Sequence, residues 1–170
     1  MAGQSSSDSV YHQHETPVNR QEFNLFIYQR RAMPVLLGWG IGSVVSGLLL
    51  LRSRSDWLRG LGSQFFSWGA VDSVIAVFAL RNAEKKSRQF EQGEISKDEH
   101  IRQAGQFEQF IWLNTLLDIG YIVAGNAFAN RYPDNRYRQG MGWGVIIQGA
   151  FLFIWDLFLV LIAQRKRRDP

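Results

Sequence analysis

The chain has 170 residues, 46% of them apolar, and 19 Lys and Arg against 15 Asp and Glu give a net charge of +4. That length holds one domain with a sizeable core, and the absence of Cys excludes disulfides, thiolate metal sites and a cysteine nucleophile. The polar first 22 residues carry no apolar h-region, so no cleavable signal peptide is expected, and Ala2 stands where N-myristoylation needs Gly.

Residues 1–18 are rich in Ser, Gln and His without apolar periodicity, and a disordered tail is expected there. His12 and His14 within it are read as solvated rather than as a metal site. From Asn19 the pattern turns helical: Asn19 with Glu22 forms a capping box, and Phe23, Phe26 and Ile27 share a face with Arg30. Residues 19–31 therefore read as an amphipathic helix on the cytoplasmic interface, after which Pro34, tolerated in a first turn, opens a new helix near Met33.

Four stretches in residues 32–163 approach the roughly 20 apolar residues that cross about 30 Å of hydrocarbon: 33–51, 61–80, 110–129 and 141–163. The first and last are the cleanest. The second carries Gln64 and Asp72, and the third Asn114, Asp118 and Asn126. Between the middle two, residues 81–109 are too charged for lipid. Gly93 reads as a helix stop and Ser96-Lys97-Asp98-Glu99 as a capping box, so the segment is expected to form a cytoplasmic helical hairpin. Pro133-Asp134-Asn135 marks a turn in the second outer loop. Residues 164–170 form a basic tail, read as an anchor on anionic lipid rather than a nucleic-acid patch.

Four spans put the N-terminal arm, the hairpin and the tail on one side, which holds thirteen Lys and Arg against six opposite. By the positive-inside rule both termini face the cytoplasm of an inner membrane. Trp57, Trp112 and Trp143 lie near span ends, as in an aromatic belt. The fold expected is all-α: an integral membrane bundle of four transmembrane helices with a cytoplasmic helical hairpin.

Three aspartates lie inside these spans. Asp72 and Asp118 are eight residues, and Asp156 seven, from the cytoplasmic ends of theirs, so antiparallel threading places all three about 10–12 Å below that boundary, in one layer. Each belongs to a stripe at helical spacing, with Trp68 and Ala76 beside Asp72, Asn114 and Tyr121 beside Asp118, and Gln148 two turns before Asp156. No Lys, Arg or His lies within a span. Three chemistries fit: protonated carboxyls, a bound cation with Asn114 or Tyr121 as added oxygen ligands, or structural hydrogen bonding to Trp39, Trp68, Trp155, Tyr121 and nearby serines. Arg30 and Arg31 are also within snorkelling reach. Gly38, Gly42 and Ser46 on the first span, Gly69 and Ser73 on the second, and Gly140 and Gly144 on the fourth are small residues suited to close helix packing.

Trp-Gly-x-x-Asp at 68–72, Asn-Thr-Leu-Leu-Asp at 114–118 and the helix carrying Gln148 and Asp156 together resemble a family of small bacterial four-span membrane proteins without assigned function. The resemblance covers about residues 23–163 and implies a membrane protein with polar intramembrane positions. It supplies no chemistry. The three His residues all lie outside the spans, no Gly-rich phosphate loop is present, and no Ser/His/Asp set can assemble in the bilayer. The expectation is a non-enzymatic accessory or assembly component with no cofactor and no metal. Its partners would be the lipid bilayer and a second copy or another membrane subunit, not nucleic acid. The alternative is a small proton- or cation-coupled transporter or channel using the carboxylate layer.

Overall fold

A computed structural model describes residues 24–168, with side chains described as far as Arg165. It contains four helices in chain order: α1 Leu25–Leu51, α2 Asp56–Glu91, α3 Lys97–Arg131 and α4 Arg136–Arg168. No strand occurs among the described residues. The architecture is all-α, and α1, α2 and α4 are long and apolar enough to cross a membrane. α3 falls below that mark, because Asn114, Asp118 and Asn126 dilute its apolar stretch.

The helix ends follow local chemistry. Asn24 caps α1, its side-chain oxygen accepting from the backbone N–H of Phe26 (2.9 Å) and Ile27 (3.2 Å). The Asn19–Glu22 box lies outside the described residues. Pro34 does not open a helix but sits inside α1, so the described part of the expected interfacial helix, residues 25–31, is continuous with the first span. Proline removes one hydrogen bond there. The turns on both sides are pinned by tertiary contacts: Ala32, Met33 and Leu36 are buried in the core, and the Tyr28 hydroxyl donates to the Leu159 carbonyl at 2.7 Å.

Residues 81–109 form a helix, a turn and a second helix. α2 runs on past its apolar stretch to Glu91, and Gly93 takes φ 76°, a left-handed conformation that costs Gly least. Ser96 then caps α3, accepting from the Glu99 N–H at 3.2 Å, with Asp98 and Glu99 in the first turn. Between α3 and α4 the turn expected at Pro133-Asp134-Asn135 is present, and Asn135 accepts from the Arg138 N–H at 3.0 Å.

Glycines set the packing. A Cβ on Gly40 would meet Ser73 and Gly69, and one on Gly47 would meet Phe66 and Gly62. The pairing of rising with falling numbers makes α1 and α2 antiparallel. Gly60 lies against the Tyr137 carbonyl and Gly140 against that of Trp57, while Gly144 meets Gln64, so α2 and α4 run parallel in contact. Gly125 and Gly142 face each other, and Gly149 faces the Asp118 carbonyl, joining α3 to α4 antiparallel. α2 is thus the shared neighbour of α1 and α4. Large side chains fill the other end: Met33, Leu36, Ile111, Leu159 and Val160, from three helices, pack around Ala76 of the fourth.

One predicted ridge is displaced. A Cβ on Gly38 or Gly42 would meet nothing within 4 Å, and Ser46 is exposed, whereas Gly69, Ser73, Gly140 and Gly144 lie at close contacts. The buried stripe of α1 is instead Leu36, Gly40, Ser43 and Gly47, on roughly the opposite face at about 100° per residue. Small residues line both faces of α1, so four-residue spacing does not choose between them. The matching seven-residue spacings of Gly40/Gly47 and Gly62/Gly69 do.

These faces respond differently to substitution. Gly69→Leu would drive a side chain into the Gly40 carbonyl and Ser43 Cβ, each 2.6 Å from its Cβ, and is expected to lower stability by about 1–3 kcal/mol. Gly42→Leu should leave the melting temperature in detergent unchanged or raise it, and comparing the two melting curves checks this.

Candidate functional site

The interior of the bundle holds a set of polar side chains beside its apolar core. Asp72, Asp118 and Asp156 are 4%, 3% and 8% exposed, and Ser43, Thr115 and Gln148 are buried with them. Each aspartate comes from a different helix, and the three carboxyl groups are close enough to interact electrostatically with one another. The backbones of Asp118 and Asp156 are not level, contrary to the single layer expected from the sequence, because the Asp118 carbonyl lies against Gly149 and Asp156 follows seven residues later. At 1.5 Å per residue that is a stagger of about 10 Å. Side chains lean toward the N-terminus of their helix, so on antiparallel α3 and α4 Asp118 and Asp156 lean toward each other and part of the gap closes.

The surroundings of the acids contain few donors. Asp72 Oδ2 and Asp118 Oδ2 are fully buried without a hydrogen-bond partner, as is the indole Nε1 of Trp155. Arg30 and Arg31 are exposed and form no ion pair with them. The ion pairs seen, Arg59–Asp56, Arg88–Glu84 and Arg102–Glu99, all lie within single helices away from the acids. Among the described residues no three of the His, Cys, Asp and Glu side chains are grouped to hold one metal ion. Unpartnered carboxylate oxygens at such burial need a proton or an added donor to be tolerated.

The remaining residues of the predicted layer separate. Gln148, 1% exposed, turns to α1: its Oε1 accepts from Trp39 Nε1 at 2.8 Å and its Nε2 donates to Ser43 Oγ at 3.2 Å. Trp39 also stacks on Phe151, ring centroids 3.7 Å apart. This α1–α4 tie uses up the polar groups that spacing alone assigns to Asp156. Tyr121 is partly exposed with its ring edge-on to Trp68 at 5.2 Å, and Asn114 is half-buried one turn before Asp118. Neither makes a hydrogen bond to an aspartate among the described residues. A narrow space between Trp68, Tyr121, Gln148 and Leu152 is too tight for a water molecule.

A second polar centre, at the hairpin, is absent from the sequence reading. His100 is 8% exposed and its Nε2 accepts from the Leu25 backbone N–H at 3.1 Å. Phe26 and Phe90 pack against its ring at 5.2 and 4.7 Å between centroids. The start of α1 is thereby clamped to the hairpin. The signal was present in the aromatic residues Phe26 and Phe90, but only the folded hairpin brings them to His100.

Gln148→Leu removes both hydrogen bonds of the α1–α4 tie and leaves the partly buried Trp39 N–H without its acceptor. A loss of about 1–3 kcal/mol is expected, read as a lower melting temperature in detergent.

Residues 35–157, which include all three aspartates and both inter-helix turns flanking α3, match DUF6992, a family of unknown function. No curated protein and no solved structure matches the chain.

Proposed function

The chain belongs to DUF6992, and since that family carries no assigned chemistry, we propose from the residues themselves that it is a small non-enzymatic membrane protein of four spans. Its termini and hairpin are cytoplasmic, and it acts as an accessory or assembly component whose partners are the lipid bilayer and a second copy or another membrane subunit. The observation that carries this reading is an inverted distribution of polarity. Asp72, Asp118, Asp156 and Gln148 are inside, while Leu49 (64% exposed), Phe78 (67%), Leu116 (64%) and Ile154 (66%), one on each helix, face outward. In water that arrangement exposes an apolar belt and buries charge, two costs at once. In lipid the belt costs nothing.

The same distribution supports α3 as the fourth span despite its lower hydropathy. Of the polar residues in its apolar stretch, Thr115 and Asp118 are buried, Asn114 is half-buried and Asn126 is exposed near the α3–α4 turn, while Leu113, Leu116, Leu117 and Val123 are exposed. Polar groups in a span are tolerated when they face the bundle. The excess of Lys and Arg on the hairpin side supports the orientation.

The chain contains no Cys, so single introduced cysteines report topology cleanly. In sealed cells Asp134→Cys, in the α3–α4 turn, should react with an impermeant maleimide, and Glu94→Cys, in the hairpin, should react only after the membrane is opened. Equal labelling of both would overturn the four-span threading.

A second reading, a proton-coupled carrier, is favoured by the unpartnered oxygens of Asp72 and Asp118. A proton suits them better than a metal ion, since no three acids group for one among the described residues. Asp118→Asn separates the readings. In the accessory role it changes only the melting temperature, and liposomes containing wild-type protein show no proton flux. In the carrier role wild-type liposomes acidify in response to a pH gradient, and the variant, still folded, does not.

A further inference from the structure

We propose that the cytoplasmic end of the bundle holds a binding site for the headgroup of an anionic phospholipid, centred on Lys86. The site is a cavity of about 240 Å³ between the start of α1, the cytoplasmic extension of α2 and the first half of α3. Its polar lining among the described residues is Gln29, Asn82, Lys86, Gln103 and Gln106, four amides and one ammonium with no acidic side chain. It is smaller than the roughly 300–1,000 Å³ of sites for drug-sized ligands, and suits a single headgroup.

The charge of Lys86 is positioned but not neutralised. Its Nζ donates to Gln103 Oε1 at 2.8 Å and lies 6.0 Å from the Phe26 ring centroid. Both partners are neutral, and the described residues offer it no ion pair. The carboxylate of Glu99 stands one step away, accepting from the Gln103 amide at 2.8 Å and pairing with Arg102, so it orients the amide without reaching the ammonium. The α1 N-terminus adds the positive end of a helix dipole beside the cavity.

Position identifies the anion as a lipid. This step rests on the membrane reading above. Phe110 lines the cavity and is 58% exposed at the start of the apolar stretch of α3, and Asn82 lies at the end of that of α2. The cavity therefore meets the outer surface of the bundle where apolar side chains give way to charged ones. A phosphodiester bound by Lys86 and the amides leaves its acyl chains on the Phe110 side. A free phosphate needs no such apolar lip.

Lys85 supplies an internal control. It is the neighbouring residue but lies on the outer face of α2 with Arg81 and Arg88, where it attracts anionic membranes without a defined site. The test uses the full-length protein extracted in mild detergent from bilayers of mixed phosphatidylglycerol and phosphatidylcholine, with retained lipid counted by native mass spectrometry. Lys86→Gln is expected to lower retained phosphatidylglycerol about fivefold, the loss of one lysine's attraction. Lys85→Gln should change it less than twofold, and Lys86→Arg should keep it. Equal effects of the Lys85 and Lys86 variants, or no effect of either, would overturn the site. Glycerol 3-phosphate at millimolar concentration should not displace the lipid, and full displacement would reassign the cavity to a soluble phosphate ester. If Lys86→Gln fails to fold, Gln106→Glu, an exposed lip residue, should produce the same loss by repulsion. Protein that stays monomeric in water without detergent would sink the membrane reading itself, a result distinct from all of these.

Discussion

The structure depends on how closely α2 approaches two neighbours. Gly62 and Gly69 bring it into backbone contact with α1, and Gly60 does the same with α4. Where helices meet at their backbones, no space remains between them for a large side chain, so the bulky apolar residues of that half turn outward. On the membrane reading proposed above that outward turn is favourable, and dispersion contacts between closely packed backbones hold the helices together. The other half of the bundle is built differently, with Leu, Val, Ile and Met side chains from several helices meeting around Ala76.

Close packing also governs the interior acids. Gly149 admits the Asp118 carbonyl of α3 and so sets the α3–α4 register, which places Asp118 and Asp156 in electrostatic reach but not at one level. The interior supplies amide, indole and hydroxyl groups rather than cations, and the best of these are committed elsewhere. Gln148 serves Trp39 and Ser43, while Thr115 and Ser73 donate to carbonyls of their own helices. A group of buried carboxyls with few partners follows from side chains each satisfying the nearest neighbour first.

How much was legible depended on range. The hairpin, its Gly93 stop and its Ser96 cap are local, because the groups that satisfy the free N–H and C=O of a helix end lie within a few residues in sequence. Pro34 misled for the same reason: local preference places it in a first turn, and contacts of Tyr28 and Met33 with distant residues carry the helix through it. Gly38 and Gly42 misled because spacing names a face without naming its partner. His100 is placed by the sequence only outside the spans, and its partner, the backbone N–H of Leu25, lies 75 positions earlier.

By itself the amino-acid order determined the all-α character, the Gly93 stop, the Ser96 cap, the turn at 133–135, and the presence of three acids within otherwise apolar stretches. Each of these follows from chemistry within one or two turns of helix. The tertiary structure alone decided which face of α1 packs, which partner Gln148 takes, how far Asp156 stands from Asp118, and that Lys86 faces a cavity while Lys85 faces outward. These depend on helix rotation and register. Both are set where two backbones touch, and neither is written in the spacing of a single helix.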